Sequence, residues 1–306
     1  MTTFAEALRA RFGAAARRDE PLAHYTSFRI GGPADFLVVA RSPTDIIDAV
    51  ALAEEHGVPW IVLGRGSNVL VDDAGIRGLV IRNDATAFTI DPASGAVTAE
   101  SGARMPSLGA QSARAGLHGL EWAVGIPGSV GGAVVMNAGA HGGCVADVLE
   151  SAEILDGGRR IVLPAAAFAH AYRTSRLQRE RHRVVLSARF RLAPGDPAEA
   201  LARVREYRRH RQETQPNDPG AGSIFRNPPG HAAGALIDQA GLKGTRRGNA
   251  LISPRHANFI VNAGGASAED VRALIQLARE EVARRFGIVL ETEVELIGPT
   301  GRMTLA

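Results

Sequence analysis

Cysteine is almost missing from this chain: Cys144 is the only one among 306 residues. That excludes an internal disulfide and a cysteine-based metal site, and it suits a reducing compartment. Paired metal-ligand spacings are also missing, so no metal is expected. Aromatic residues make up only 5%. A nucleic-acid binder would interleave aromatics with its basic patches, and no nucleic-acid partner is expected here. Long apolar runs are absent too. The stretch 132–136 is typical and far too short to span a bilayer. The N-terminus has no basic region followed by an apolar one, so no secretory signal is read. The expected location is cytoplasmic, without membrane insertion. Lysine is nearly absent: Lys243 is the sole one among 35 basic residues.

Apolar residues are plentiful. They make up 45% of the chain against 22% charged, the balance of a soluble globular protein with a core of its own. The length suggests two or three domains. The net charge is +3 and the pI near 9.6. Basic clusters at 203–211 and 246–247 read as solvated faces, and the mild positive bias suits anionic substrates such as phosphates.

Residues 1–20 read as a charged helix. Residues 44–56 read as a helix between Pro43 and Gly57, with Ile46, Ile47, Val50, Ala51 and Ala53 on one side. Short strands follow at 60–63, 69–71 and 79–81, and this first α/β unit closes near residue 84. Residues 85–195 form a sheet-rich unit, with strands at 88–90, 97–100, 151–156, 160–163 and 184–192 and a helix over about 106–115. The third unit, 196–306, starts with a basic helix over 197–211. It continues with a helical 232–240, a strand over 258–261 and a helix over 267–286. Ser267 and Asp270 pair at the start of that last helix; Val271, Leu274, Ile275, Ala278, Val282 and Phe286 form its stripe, and Gly287 stops it. A strand over 289–297 then alternates Leu290, Thr292, Val294 and Leu296 against Glu291, Glu293 and Glu295.

Two glycine-rich segments stand out. Gly64-Arg65-Gly66-Ser67-Asn68 follows a strand, but position 69 is Val and no amphipathic helix opens there, so the Rossmann fingerprint fails in context. The segment reads either as a tight turn or as an anion nest of backbone N–H groups aided by Ser67 and Asn68. Gly125-Ile126-Pro127-Gly128-Ser129-Val130-Gly131-Gly132 holds too many glycines for an ordinary hairpin, and Asn137 and Gly139 follow it. Backbone without Cβ atoms can lie flat against a large ligand. Two such loops could hold the two ends of one cofactor.

Six motifs occur in order: Tyr25-Thr26-Ser27-Phe28-Arg29-Ile30-Gly31-Gly32, residues 63–71, residues 125–140, Tyr172-Arg173-Thr174-Ser175, Gly222-Ser223-Ile224-Phe225-Arg226-Asn227-Pro228 and residues 290–298. Over about residues 22–298 the chain resembles the UDP-N-acetylenolpyruvoylglucosamine reductase family. The resemblance implies an α+β fold. A two-part FAD-binding module of the vanillyl-alcohol-oxidase type (1–84 and 85–195) precedes a smaller α+β domain for the UDP-sugar (196–306). It implies FAD as cofactor, with Gly64, Arg65, Gly66, Ser67, Asn68, Gly125, Ile126, Pro127, Gly128, Ser129, Gly131, Gly132, Asn137 and Gly139 around it. NADPH and UDP-N-acetylglucosamine enolpyruvate are the implied partners, and a monomer is compatible with the sequence.

By the same resemblance Arg173 faces the substrate carboxylate, Ser223 donates a proton and Glu293 assists the enolate, with its own pKa raised or its proton shared. On residues alone each has a plainer role. Arg173 could be a surface arginine, Ser223 could bond its own loop, and Glu293 could lie on a solvated strand face. Gln215, Arg226, Asn227 and Lys243 are weaker candidates for the UDP-sugar. His141 and His256 are given no catalytic role. The longer relatives' tyrosine-bearing cover loop has no matching segment, so the chain resembles the shorter subclass. A flavin oxidase of the same superfamily would lack the Ser223 loop and the Glu293 strand.

Overall fold

The computed structural model describes residues 2–303. A four-stranded sheet runs in the order Ala16–Pro21, Pro33–Ala40, Ile76–Asn83, Trp60–Leu63. The chain divides into two compact units, each assembled from three separate segments.

The first unit takes Met1–Ala16, Val38–Arg65 and Ile81–Arg211. Its centre is an antiparallel sheet in the order Arg159–Pro164, Leu149–Asp156, Val184–Arg191, Ala96–Glu100, Phe88–Asp91. The inward residues Val97, Ala99, Ala152, Ile154, Ala188 and Phe190 alternate along these strands and are buried, together with Met105, Leu108 and Trp122. Helix Pro43–Glu55 begins as its sequence predicts. The Ser42 hydroxyl accepts from the Asp45 N–H, and Pro43 sits in the first turn, where its missing N–H costs nothing.

Within the glycine-rich stretch a short helix, Val130–Met136, stands out. Gly131 and Gly132 are poor helix formers and conceal it in the sequence. It is started from outside: Val130 N–H donates to Ala103 O at 2.9 Å and Gly131 N–H to Ser101 O at 2.8 Å.

The N-terminal helix is shorter than the sequence predicts. It covers Phe4–Phe12, ends at Gly13 with φ +56°, and gives way to strand Ala16–Pro21. Residues 14–20 are good helix formers, but strand pairing overrides propensity.

The second unit takes Arg17–Leu37, Gly66–Val80 and Gln212–Ala306. Helix Ala268–Phe286 carries the predicted capping box, with Ser267 and Asp270 each bonding the other's N–H. Val271, Leu274, Ile275, Ala278 and Val282 are buried along it and Gly287 ends it in the left-handed conformation; Phe286, predicted for the stripe, is exposed. Two further expectations need correction. The strand predicted over 258–261 pairs as Ile260–Asn262 against Ala250–Ile252. The strand predicted over 289–297 is regular only at Glu295–Gly298, which runs parallel to Val69–Val71. Upstream the burial alternates as predicted, with Leu290 and Val294 inside, but the pairing there is a single bridge between Thr292 and Phe225.

Candidate active site

In the first unit the two glycine-rich segments meet. Strand Trp60–Leu63 delivers Gly64 against Ser129, and a Cβ on Gly64 would lie 2.4 Å from the Ser129 hydroxyl. The Gly64 carbonyl accepts from Arg82, and Arg65 pairs with Asp84 at 3.6 Å. Gly125 and Gly132 differ from Gly64. Neither has positive φ, and a Cβ there would meet nothing nearer than Arg211 Cδ at 3.9 Å or Ser129 Oγ at 3.5 Å. Nothing in the chain itself demands glycine at these two places. Backbone free of Cβ atoms leaves room for a flat ligand to approach.

Arg173 stands at the tip of a tight turn closed by the Ala171–Thr174 bridge. Its φ is +53°, a left-handed conformation that costs a non-glycine residue energy. The guanidinium donates to Gly139 O at 2.6 Å and lies 5.3 Å from the Tyr172 ring centre. Asn137 anchors the same turn: its amide donates to Ala171 O at 3.0 Å and accepts from Ala146 N–H at 2.9 Å. Of the two residues expected beside the cofactor, Gly139 is joined to Arg173 by a direct hydrogen bond, and Asn137 holds the same turn through Ala171. Arg211, which the sequence did not single out, donates to Gly125 O.

In the second unit Gly66 has φ +62°, and a Cβ there would fall 2.1 Å from Tyr25 O. Its own carbonyl accepts from Ser27 N–H at 2.9 Å, which ties the Tyr25 motif to the glycine loop. The N–H groups of Gly66, Ser67 and Asn68 donate to no backbone acceptor among the described residues. Three consecutive open donors suit an anionic ligand group such as a pyrophosphate. Gly66→Val is expected to cost at least about 1–3 kcal/mol from the backbone conformation alone, measured as a lowered unfolding midpoint with lost flavin content. Unchanged flavin content would show that this loop does not hold the cofactor.

The Asn68 amide donates to Glu293 O at 3.0 Å, and Glu293 N–H donates to Ile224 O at 2.8 Å. The loop after Ser223 is thereby fastened to the segment that carries Glu293, across 69 residues of chain. Arg226 N–H donates to Glu291 O at 2.9 Å and continues the pairing. On its other side the loop is held by Asn258, which is 3% exposed. The Asn258 side chain accepts from Phe225 N–H at 2.9 Å and donates to Phe225 O at 2.8 Å, while its carbonyl accepts from Ile224 N–H at 2.9 Å. No sequence motif flagged Asn258.

Ser223 lines a cavity of about 300 Å³ with Asn227, Asp238, Lys243, Arg255, His256 and Asn258 among the other lining residues. Lys243 pairs with Asp238 at 2.6 Å. Asn227 accepts from Ala233 N–H at 3.0 Å, at the start of helix Ala233–Gln239. Arg226 lies 3.8 Å from Glu291. Gln215 does not line this cavity; its carbonyl accepts from Arg255 at 3.1 Å. Burial, with the Lys243 charge adding to it, pushes the His256 pKa below the usual imidazole value. Among the described residues no cluster of three or more His, Cys, Asp or Glu could hold a metal, and no helix is long and apolar enough to cross a membrane.

Residues 34–162 match the FAD binding domain family. With the glycine loops described above, this defines an FAD-dependent oxidoreductase of α+β fold. Residues 215–297 match the family described as UDP-N-acetylenolpyruvoylglucosamine reductase, C-terminal domain. The chain is 48% identical to the UDP-N-acetylenolpyruvoylglucosamine reductase of Rubrobacter xylanophilus over 284 residues, 93% of this chain and 96% of that one. It is 47% identical to the enzyme of the same name from a Nostoc species, over 90% of this chain and 85% of that one. The crystal structure of UDP-N-acetylenolpyruvylglucosamine reductase from Thermus caldophilus superposes with a TM-score of 0.78 at 39% identity, covering 90% of this chain and 97% of that one. The chain belongs to the UDP-N-acetylenolpyruvoylglucosamine reductase family.

Proposed function

We propose that this protein uses NADPH to reduce the enolpyruvyl double bond of UDP-N-acetylglucosamine enolpyruvate, giving UDP-N-acetylmuramate for peptidoglycan synthesis. The observation that carries the reading is the fastening of the Ser223 loop, through Ile224, to the segment bearing Glu293. Bound FAD supplies two-electron transfer between NADPH and the double bond. Gly64, Arg65, Gly66, Ser67, Asn68, Gly125, Ile126, Pro127, Gly128, Ser129, Gly131 and Gly132 hold it, and Asn137 and Gly139 support that surface and Arg173. The chain works as a two-part cofactor module, 1–84 and 85–195, and a substrate domain, 196–306.

Reduction at the methylene carbon pushes charge onto the substrate carboxylate. Arg173 presents a planar pair of donors to that charge. Ser223 gives its hydroxyl proton to the other carbon; a hydroxyl does this only in a polarised site. Glu293 helps when its proton is retained or shared, since a bare carboxylate would repel the developing charge. Lys243, Asn227, Arg226 and Gln215 bind the UDP-sugar, and the first two line the cavity beside Ser223.

NADPH and the UDP-sugar take turns at one site, so initial-rate lines are expected to be parallel; intersecting lines would contradict this. The direct test starts with purified protein carrying its flavin. NADPH bleaches the flavin anaerobically, and the enolpyruvyl UDP-sugar then restores its colour. Persistent bleaching would overturn the reading, and oxygen consumption without the sugar would favour a flavin oxidase.

A further inference from the structure

The cavity beside Ser223 contains a histidine to which the chemistry above assigns no part. His256 lies over Gly234, where a Cβ would stand 3.0 Å from its Cε1, and its ring centre is 4.8 Å from that of Phe259 at an interplanar angle of 61°. The ring is thus clamped between helix Ala233–Gln239 and the residue that follows the Asn258 turn. Its Nδ1 accepts a hydrogen bond from Asn258 N–H at 3.2 Å. An acceptor Nδ1 places the ring proton of the neutral form on Nε2.

Asn258 in turn contributes three hydrogen bonds to the two residues after Ser223: one to Ile224 N–H and two to the Phe225 main chain. One short relay therefore runs from the His256 ring through the Asn258 turn to the peptide that carries Ser223. The turn is closed locally as well: Ser253 Oγ accepts from Arg255 N–H at 3.2 Å, and Phe259 N–H donates to His256 O at 3.0 Å.

We propose that His256 is a positioning residue: its neutral imidazole fixes the Asn258 turn through Nδ1, and that turn fixes the Ser223 hydroxyl for proton delivery. The proposal rests on the role given to Ser223 above. A proton arriving on His256 goes to Nδ1, the nitrogen that Asn258 N–H needs as acceptor, so protonation replaces the hydrogen bond with two opposed donors. The charged groups lining the same cavity are Lys243 and Arg255, which disfavour that proton, and Asp238, already paired with Lys243, which offsets them in part. Burial acts in the same direction as the two cations. The folded pKa lies below the ordinary value, so the hold is complete above about pH 6.5 and is lost as pH falls through the lowered folded value.

The test separates this from the broader reading. Colour recovery of the bleached wild-type protein on adding the enolpyruvyl UDP-sugar at pH 8 tests the reaction itself; if that fails, the function is wrong and the relay is judged by resonance alone. His256→Ala is expected to slow colour recovery by about 10²-fold, the scale of a 1 Å misplacement, with the loss in kcat rather than KM. His256→Asn sets an amide oxygen near the place of Nδ1 and is expected to regain most of the rate. Wild-type recovery should slow as pH falls through the His256 titration, whereas His256→Asn should stay flat over that range. In ¹⁵N-labelled wild-type protein the Asn258 amide resonance should move with the same titration. The proposal is overturned if folded His256→Ala recovers colour at the wild-type rate, if His256→Asn is as slow as His256→Ala, or if the Asn258 resonance ignores the titration.

Discussion

Ser223→Ala is expected to leave bleaching by NADPH intact and to slow colour recovery by the UDP-sugar by about 10²–10⁴-fold, the range of a lost general acid. The variant should fold normally. Ser223 itself donates none of the bonds that hold its loop; these come from the main chains of Ile224, Phe225 and Arg226 and from Asn258. A wild-type unfolding midpoint with slow recovery would locate the loss in the chemistry. Recovery at the wild-type rate would remove Ser223 from the mechanism and leave it a loop serine.

The second large effect is expected at Arg173. Removing one donor to a developing oxyanion costs about 10²–10³-fold, and Arg173→Ala should show it in kcat. Arg173→Lys keeps the charge but not the planar fork, so it should restore only part of the rate. Loss of the bond to Gly139 O and of the contact with the Tyr172 ring loosens the turn. The left-handed backbone at residue 173 stays strained with Ala or Lys in place. Arg173→Gly separates the two effects: it relieves the strain, so its stability should rise relative to Arg173→Ala while its rate stays low. Equal rates for wild type and Arg173→Ala would return Arg173 to the surface role its residue type alone suggests.

Much of the molecule was readable wherever a signal lay within one element. Pro43 and Gly57 bracketed one helix, and Ser267, Asp270 and Gly287 another, because caps and stripes repeat within three or four residues. The strands at 60–63 and 69–71 fall where their short apolar runs predict. The reading failed where partners elsewhere decide. Strand Pro33–Ala40, which pairs inside the four-stranded sheet, drew no prediction. The helix Val130–Met136 depends on Ser101 and Ala103.

At the site, residue types and motif order pointed to Arg173, Ser223 and Glu293 without showing what holds them. His256 and Asn258 sit in an undistinguished stretch, and only the folded chain joins them to the Ser223 loop. By itself the sequence determined the element types, the glycine loops and the family, because composition, capping and periodicity are local. The tertiary structure decided which backbone groups face each other: Gly64 with Ser129, Ile224 with Glu293, Asn258 with Phe225. Such pairings join residues tens of positions apart, and a hydrogen bond of that reach leaves no periodic trace along the chain.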